Sequence, residues 1–174
     1  MRAAVRPFFS FENGSMECGW VEVDTDAGEY DTIIQLVVSV AIVKVTIISF
    51  SYKRGLPKNL GEDGGGFVFD CRSLPNPYWD ESLRKFTGCD EPVRMFMVAH
   101  AGEVAAFLGP VEELLRNVLE AGAKSGRERL HMAFGCTGGQ HRSVYCAEAV
   151  ADCLRGLSSV EVSVDHTARE YWKT

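Results

Sequence analysis

Eight consecutive residues hold most of the reactive and anion-binding chemistry of this chain: Cys136, Thr137, Gly138, Gly139, Gln140, His141, Arg142 and Ser143. The apolar run Leu130, Met132, Ala133, Phe134 precedes them, and a helical pattern follows. A loop joining the end of a strand to the start of a helix is a natural anion site, because unpaired helix N–H groups and the positive end of the helix dipole face it. Gly138 and Gly139 let backbone approach a bound group closely. Thr137 adds a hydroxyl, His141 a ring donor, and Arg142 a charged fork of donors. Phosphate suits this assembly. A plainer reading also stands, in which the glycines serve a tight turn and Arg142 pairs with a carboxylate such as Asp70. No G-x-x-x-x-G-K-[ST] segment occurs, so the loop is not a nucleotide P-loop.

Cys136, Gly139, Arg142 and Ser143 also satisfy the spacing C-x-x-G-x-x-R-[ST], which resembles the signature of cysteine-dependent protein phosphatases. That resemblance implies attack on phosphorus by Cys136, a phosphate clamp at Arg142, and an aspartic acid that protonates the leaving group, with Asp63, Asp70 and Asp80 as candidates. A helix N-terminus and a nearby arginine favour the thiolate such chemistry needs. Gly135 stands where that family usually has histidine.

The elements that would position this loop read as an α/β chain. A strand is expected from Ala41 to Ser51, followed by the Pro- and Gly-rich loop 55–66. Phe67 to Cys71 reads as a short buried strand, and Pro75 and Pro77 make the segment after it irregular. Asp70 and Arg72 leave that strand at its C-terminal end, where ligands gather in open α/β sheets. Val93, Phe96 and Met97, then Val104, Phe107 and Leu108, predict two short helices with Gly102 between them. Pro110 is placed to open a third, carrying Val111, Leu114, Leu115, Val118 and Leu119. A strand over Leu130–Phe134, a helix over Ser143–Leu157 and an alternating strand over Val160–Val164 complete one α/β domain with a mostly parallel sheet flanked by helices. Residues 1–31 show no clear period and read as an acidic N-terminal extension, leaving 32–174 as the domain.

Bulk properties narrow the function. The 174 residues carry a net charge of −6. Residues 1–31 account for −5 of it, so a basic face on the main body stays open. The six cysteines include no C-x-x-C pair and no histidine cluster accompanies them, which argues against a structural zinc site and for reduced thiols in a cytoplasmic setting. The apolar stretch 32–50 contains Lys44 and is rich in Val and Ile, which fits buried strands and not a membrane span. No secretory signal is evident.

Four ordered blocks, ISFSYKRGLP (48–57), FVFDCRSLPNPYW (67–79), TGCDEPV (87–93) and GCTGGQHRSVYCAE (135–148), together resemble the C-terminal domain of the RapZ family of bacterial RNase adapter proteins. The resemblance spans roughly residues 45–165. It implies a fold similar to a phosphofructokinase sugar-phosphate-binding subdomain, and a non-enzymatic module that senses glucosamine-6-phosphate. It further implies a small regulatory RNA and an endoribonuclease as partners, a homo-oligomer, no cofactor and no bound metal. Full-length members carry a P-loop domain ahead of this region; no such motif stands here, so nucleotide binding is not implied. The implied ligand residues are Cys136, Thr137, Gly138, Gly139, His141 and Arg142; Arg54, Asp70 and Arg72 are candidate polar groups around them, and Asp70 and Arg72 read equally as an ion pair ordering the LPNP turn. Lys53, Arg54, His141, Arg142 and His166 are candidate contacts for RNA phosphates, with Lys53 and Arg54 reading equally as solvated charge and His166 as a surface residue. Gln140 replaces a lysine of the best-known members, which removes one positive charge.

Overall fold

A computed structural model describes residues 4–12, 15–23, 43–58, 60, 66–157 and 159–173. Its strands are β1 (Ala4–Glu12), β2 (Ser15–Val23), β3 (Val43–Ser51), β4 (Gly66–Asp70), β5 (Arg129–Cys136) and β6 (Val160–His166). Its α-helices are α1 (Glu91–Ala99), α2 (Ala101–Ser125) and α3 (Arg142–Arg155). Strands β4, β5, β3 and β6 lie in that order in one four-stranded sheet, and every pairing is parallel. The expected strand residues 41–42, the apolar segment before them, and Asp63 lie outside the described residues.

Strand composition explains the order. The central strand β3 begins with alternating burial and ends buried at every position from Ile47 to Ser51, as a parallel strand covered on both faces must. Edge strand β6 keeps strict alternation. Val43, Val45 and Ile47 of β3, with Leu130, Met132 and Phe134 of β5, share one continuous core with buried residues of all three helices. Period-2 alternation puts those strand residues on a single face, so the helices form one layer against it. Ile48, Phe50 and Ala133 form a smaller cluster on the opposite face.

Two expectations change. The segment 4–23 contains an antiparallel β1–β2 pair with Ala4 opposite Val23 and Glu12 opposite Ser15, where no period was legible. The expected pair of helices around Gly102 and Pro110 is one 25-residue helix, with the break at His100 instead. Val104, Leu108, Val111 and Leu115 are all buried on it; the stripe keeps helical phase across Pro110, so packing carries the helix through a residue that removes one backbone hydrogen bond. Three short 3-10 turns at Cys71–Ser73, Pro77–Trp79 and Glu81–Leu83 make up the expected irregular stretch. Asp70, Asn76 and Asp80 cap them by accepting the N–H groups of Arg72, Tyr78 and Ser82. Cys71, Cys136 and Cys146 are free and buried, and Cys89 is free and exposed.

Glu112, buried on α2, has its carboxyl pushed up to about 7 by burial. The folded protein therefore holds this proton more tightly than the unfolded chain. The associated stability is complete below the ordinary carboxyl value of 4.5 and is lost as pH rises through about 7. Replacing Glu112→Gln should flatten the loss by on the order of 1–2 kcal/mol between pH 5 and pH 8, discounted for partial solvent screening. Urea unfolding of both proteins at the two pH values measures it; parallel curves would refute the assignment.

Candidate functional site

Parallel register brings the C-terminal ends of the strands to one edge: Ser51 pairs with Cys136, Gly135 with Asp70, and Ser49 with His166. The loop 137–141 crosses that edge and feeds α3. Its first half is exposed at Thr137 and Gly138, and everything behind is buried. The Ser51 hydroxyl donates to the Thr137 carbonyl at 2.8 Å.

The two loop glycines have separate jobs. Gly139 has φ +68°, and a Cβ there would sit 2.6 Å from the Ala168 Cβ. It is the residue that turns the chain. A Cβ on Gly138 would meet nothing within 4 Å, so its bareness is not demanded by packing. Outside the loop, a Cβ on Gly88 would collide with the backbone at His141 and Tyr145, and the Gly88 N–H donates to the Gln140 carbonyl at 2.9 Å. His141 stands at the N-cap of α3 and makes no side-chain capping bond, which leaves the first amides of the helix facing the loop.

Gln140 was legible only as a missing lysine. Its amide nitrogen donates to the carbonyls of Arg84, Phe86 and Lys173 at 3.2, 2.9 and 3.0 Å, and its oxygen accepts the Lys173 N–H at 3.0 Å. It is a buried staple between the loop, residues 84–86 and the C-terminal tail. Trp172 adds a second tie by donating from Nε1 to the Gly139 carbonyl at 2.8 Å. Sequence offered no local signal for either contact, because both partners lie more than thirty positions away.

Arg142 is 6% exposed. Its Nη1 donates to the Arg72 carbonyl at 2.9 Å and the Leu74 carbonyl at 3.1 Å, and its buried Nε has no partner among the described residues. Asp70, the carboxylate that could have paired with it, is taken by Arg72 through Nε at 2.9 Å and Nη2 at 2.6 Å. That hydrogen-bonded guanidinium holds the Asp70 carboxyl below its usual range. The Arg72 guanidinium also lies 4.1 Å from the centre of the Tyr52 ring. His141 donates from Nε2 to the Leu83 carbonyl at 3.2 Å. Burial lowers its basicity, although the Leu83 and Phe86 carbonyls oppose this, so the ring stays neutral at neutral pH.

The Cys136 sulfur is buried, accepts the Gly139 N–H at 3.2 Å and shares a hydrogen bond with the Ser143 hydroxyl at 3.1 Å. Thus Cys136, Thr137, Gly138, Gly139, Arg142 and the Asp70–Arg72 pair come together. Arg54 instead rests 3.7 Å over the Tyr171 ring. His166 is no free rim residue: Nδ1 bonds the Ser49 hydroxyl at 2.8 Å and Nε2 the Glu148 carboxylate at 3.1 Å. Asp80 spends its carboxylate on the N–H and hydroxyl of Ser82.

Residues 43–170 match the family described as the RapZ C-terminal domain. The chain belongs to that family. A nucleotide-binding protein of Halorhodospira halophila is 42% identical over 121 residues, covering 69% of this chain and 40% of the relative. One from Acidothermus cellulolyticus is 41% identical over 123 residues, covering 71% and 38%. One from Alkalilimnicola ehrlichii is 47% identical over 115 residues, covering 66% and 38%. The chain therefore spans about two fifths of the length of these curated relatives. Among the described residues no helix is long and apolar enough to cross a membrane.

The same edge of this RapZ-type domain carries a cationic cluster that sequence reasoning only touched at Lys53. Lys173 donates to the Tyr78 hydroxyl at 2.9 Å, and Arg84 lies 5.0 Å from that ring. The Lys173 hydrogen bond and charge, then Arg84 and Lys53, lower the Tyr78 phenol. Trp79 beside it is 79% exposed.

The glycine division of labour is measurable. Gly139→Ala should cost about 2–4 kcal/mol in urea unfolding, from the left-handed backbone and the Ala168 collision together. Gly138→Ala should stay within about 0.5 kcal/mol of the parent. Equal losses at both positions would contradict the distinction.

Proposed function

We infer that this domain is a non-enzymatic sensor. Its 137–142 loop would hold the phosphate of an amino-sugar phosphate such as glucosamine-6-phosphate, and the domain would act in the cytoplasm as an RNA-binding adapter for an endoribonuclease. The observation that carries the first part is Arg142: a buried guanidinium with an unused Nε and, among the described residues, no carboxylate partner. A buried charge without a counter-charge is costly. An anion at an uncapped helix N-terminus, reached past the open Cα of Gly138, would offset that cost. Asp70, ionised and half exposed beside it, can accept from a sugar hydroxyl or ammonium group. The RNA part is supported by Lys53, Arg84 and Lys173 around Tyr78, with Trp79 free to stack on a base.

Saturating glucosamine-6-phosphate, at about 100 times its Kd, should stabilise the fold by about 2.7 kcal/mol and raise Tm by roughly 5–10 °C. Glucosamine should do neither. Arg142→Ala should lose the shift, and Gly138→Val should lose it while keeping the parent stability. A shift produced by ATP and by no sugar phosphate would overturn the assignment. For RNA, the double change Lys53→Ala and Lys173→Ala should lower the salt slope of binding by about 2. No binding of structured RNA at low salt by the parent domain would remove that role.

A second reading has one observation in its favour: two donors, the Gly139 amide and the Ser143 hydroxyl, converge on the Cys136 sulfur, an arrangement that suits a phosphatase thiolate. Against it, the sulfur is buried and Arg142 Nη1 is committed to backbone carbonyls. Cys136→Ser should therefore retain the ligand shift. Aryl-phosphate hydrolysis that disappears in Cys136→Ser would establish the enzyme instead.

A further inference from the structure

Three segments remote in sequence converge beside the loop. Cys89 comes from the turn before α1, Glu148 from α3 and His166 from the end of β6. Their ligand atoms all lie within 4.8 Å of one another. The His166 Nε2 is 3.1 Å from Glu148 Oε1 and 4.0 Å from Cys89 Sγ. We propose that Cys89, Glu148 and His166 form a divalent-metal site, best suited to Zn²⁺, with water or an exogenous ligand completing a tetrahedron.

The donor set is the first reason. Thiolate, imidazole and carboxylate are the three protein ligands of zinc, and three of them with one open position is a common zinc arrangement. Geometry is the second. A tetrahedral zinc with bonds of about 2.0–2.3 Å holds its ligand atoms roughly 3.3–3.6 Å apart. The His166–Glu148 separation of 3.1 Å lies just below that span and the His166–Cys89 separation of 4.0 Å just above it, and the Cys89 side chain is exposed. The third reason is the surrounding support. The fully buried Ser49 hydroxyl sits 2.8 Å from His166 Nδ1. It can accept from that nitrogen and leave Nε2 free to ligate, as an outer partner of a metal-bound histidine does.

The Cys89 turn is itself held firmly. Thr87 Oγ1 accepts the Cys89 N–H at 3.2 Å, and Asp90 accepts the Thr87 N–H and hydroxyl. The competing occupant of the cluster is a bare His166–Glu148 ion pair, with Arg155 Nη1 3.7 Å from the other Glu148 oxygen.

A metal here would fasten the elements that carry the anion loop. Cys89 follows Gly88, whose N–H holds the Gln140 carbonyl. The His166 ring lies 5.5 Å from that of Trp172, which holds the Gly139 carbonyl. The site uses none of the proposed phosphate ligands, so its failure and the failure of the sensor reading are distinguishable.

The test is titration of the reduced, metal-free chain with Zn²⁺ alone and with Co²⁺ alone. We expect one saturable equivalent, and a thiolate-to-cobalt charge-transfer band in the near ultraviolet. Cys89→Ser should abolish the band and weaken Zn²⁺ by at least about tenfold, the size of effect produced even by losing an outer partner. Glu148→Gln should weaken Zn²⁺ similarly while keeping the band. Absence of saturable binding in the parent, or binding unchanged in both variants, would overturn the site.

Discussion

A buried guanidinium with no carboxylate partner among the described residues governs the C-terminal edge of this sheet. Arg142 can be accommodated there only because the chain leaving β4 presents two carbonyls, Arg72 and Leu74, to its Nη1. That presentation depends on a 3-10 turn capped by Asp70 and followed by the Pro75–Pro77 stretch. Asp70 is thereby spent on Arg72, half exposed, where a salt bridge contributes little stability. Its worth lies in geometry: it orders the turn and keeps a carboxylate off Arg142. Carbonyl dipoles offset part of the buried charge and leave the rest for an anion.

The loop that would bind the anion is held from outside. Gly139 turns it, Gly88 packs beneath it, Gln140 fastens it to two other segments, and Trp172 caps it from the tail. Buried polar groups with their bonds satisfied fix one conformation, so the amides at the start of α3 face the loop before any ligand arrives. Preorganisation of this kind lowers the ordering cost of binding.

The strand–loop–helix unit over residues 129–155 was legible because its signals are local: a β-rich apolar run, a glycine pair, then helical periodicity. The parallel α/β class followed from the order of such units. What failed to show depends on distance along the chain. Gln140 reads as a lost charge until residues 84–86 and 173 close around it, and His141 reads as a phosphate donor until the Leu83 carbonyl accepts its N–H. His166 reads as a surface base until Ser49 and Glu148 enclose it. Cys89, Glu148 and His166 match no metal spacing because 59 and 18 residues separate them, and only the fold makes them neighbours. Pro110 misled for a different reason: a local helix-breaking rule lost to an apolar stripe that keeps its phase through the residue.

Charge accounting bears on the size of the anion. With His141 neutral and Gln140 in place of a lysine, the loop's own positive charge is Arg142 plus the helix N-terminus. The next cations, Arg72 and Lys173, are already engaged with Asp70 and Tyr78. A triphosphate spreads several negative charges over many oxygens, and a P-loop meets them with a lysine that this loop does not carry. One phosphate needs only one fork of donors and a few amides. The ionised Asp70 nearby would repel a second phosphate and attract an ammonium group. On the sensor reading proposed above, these electrostatics would favour a monophosphate carrying a neutral or cationic body.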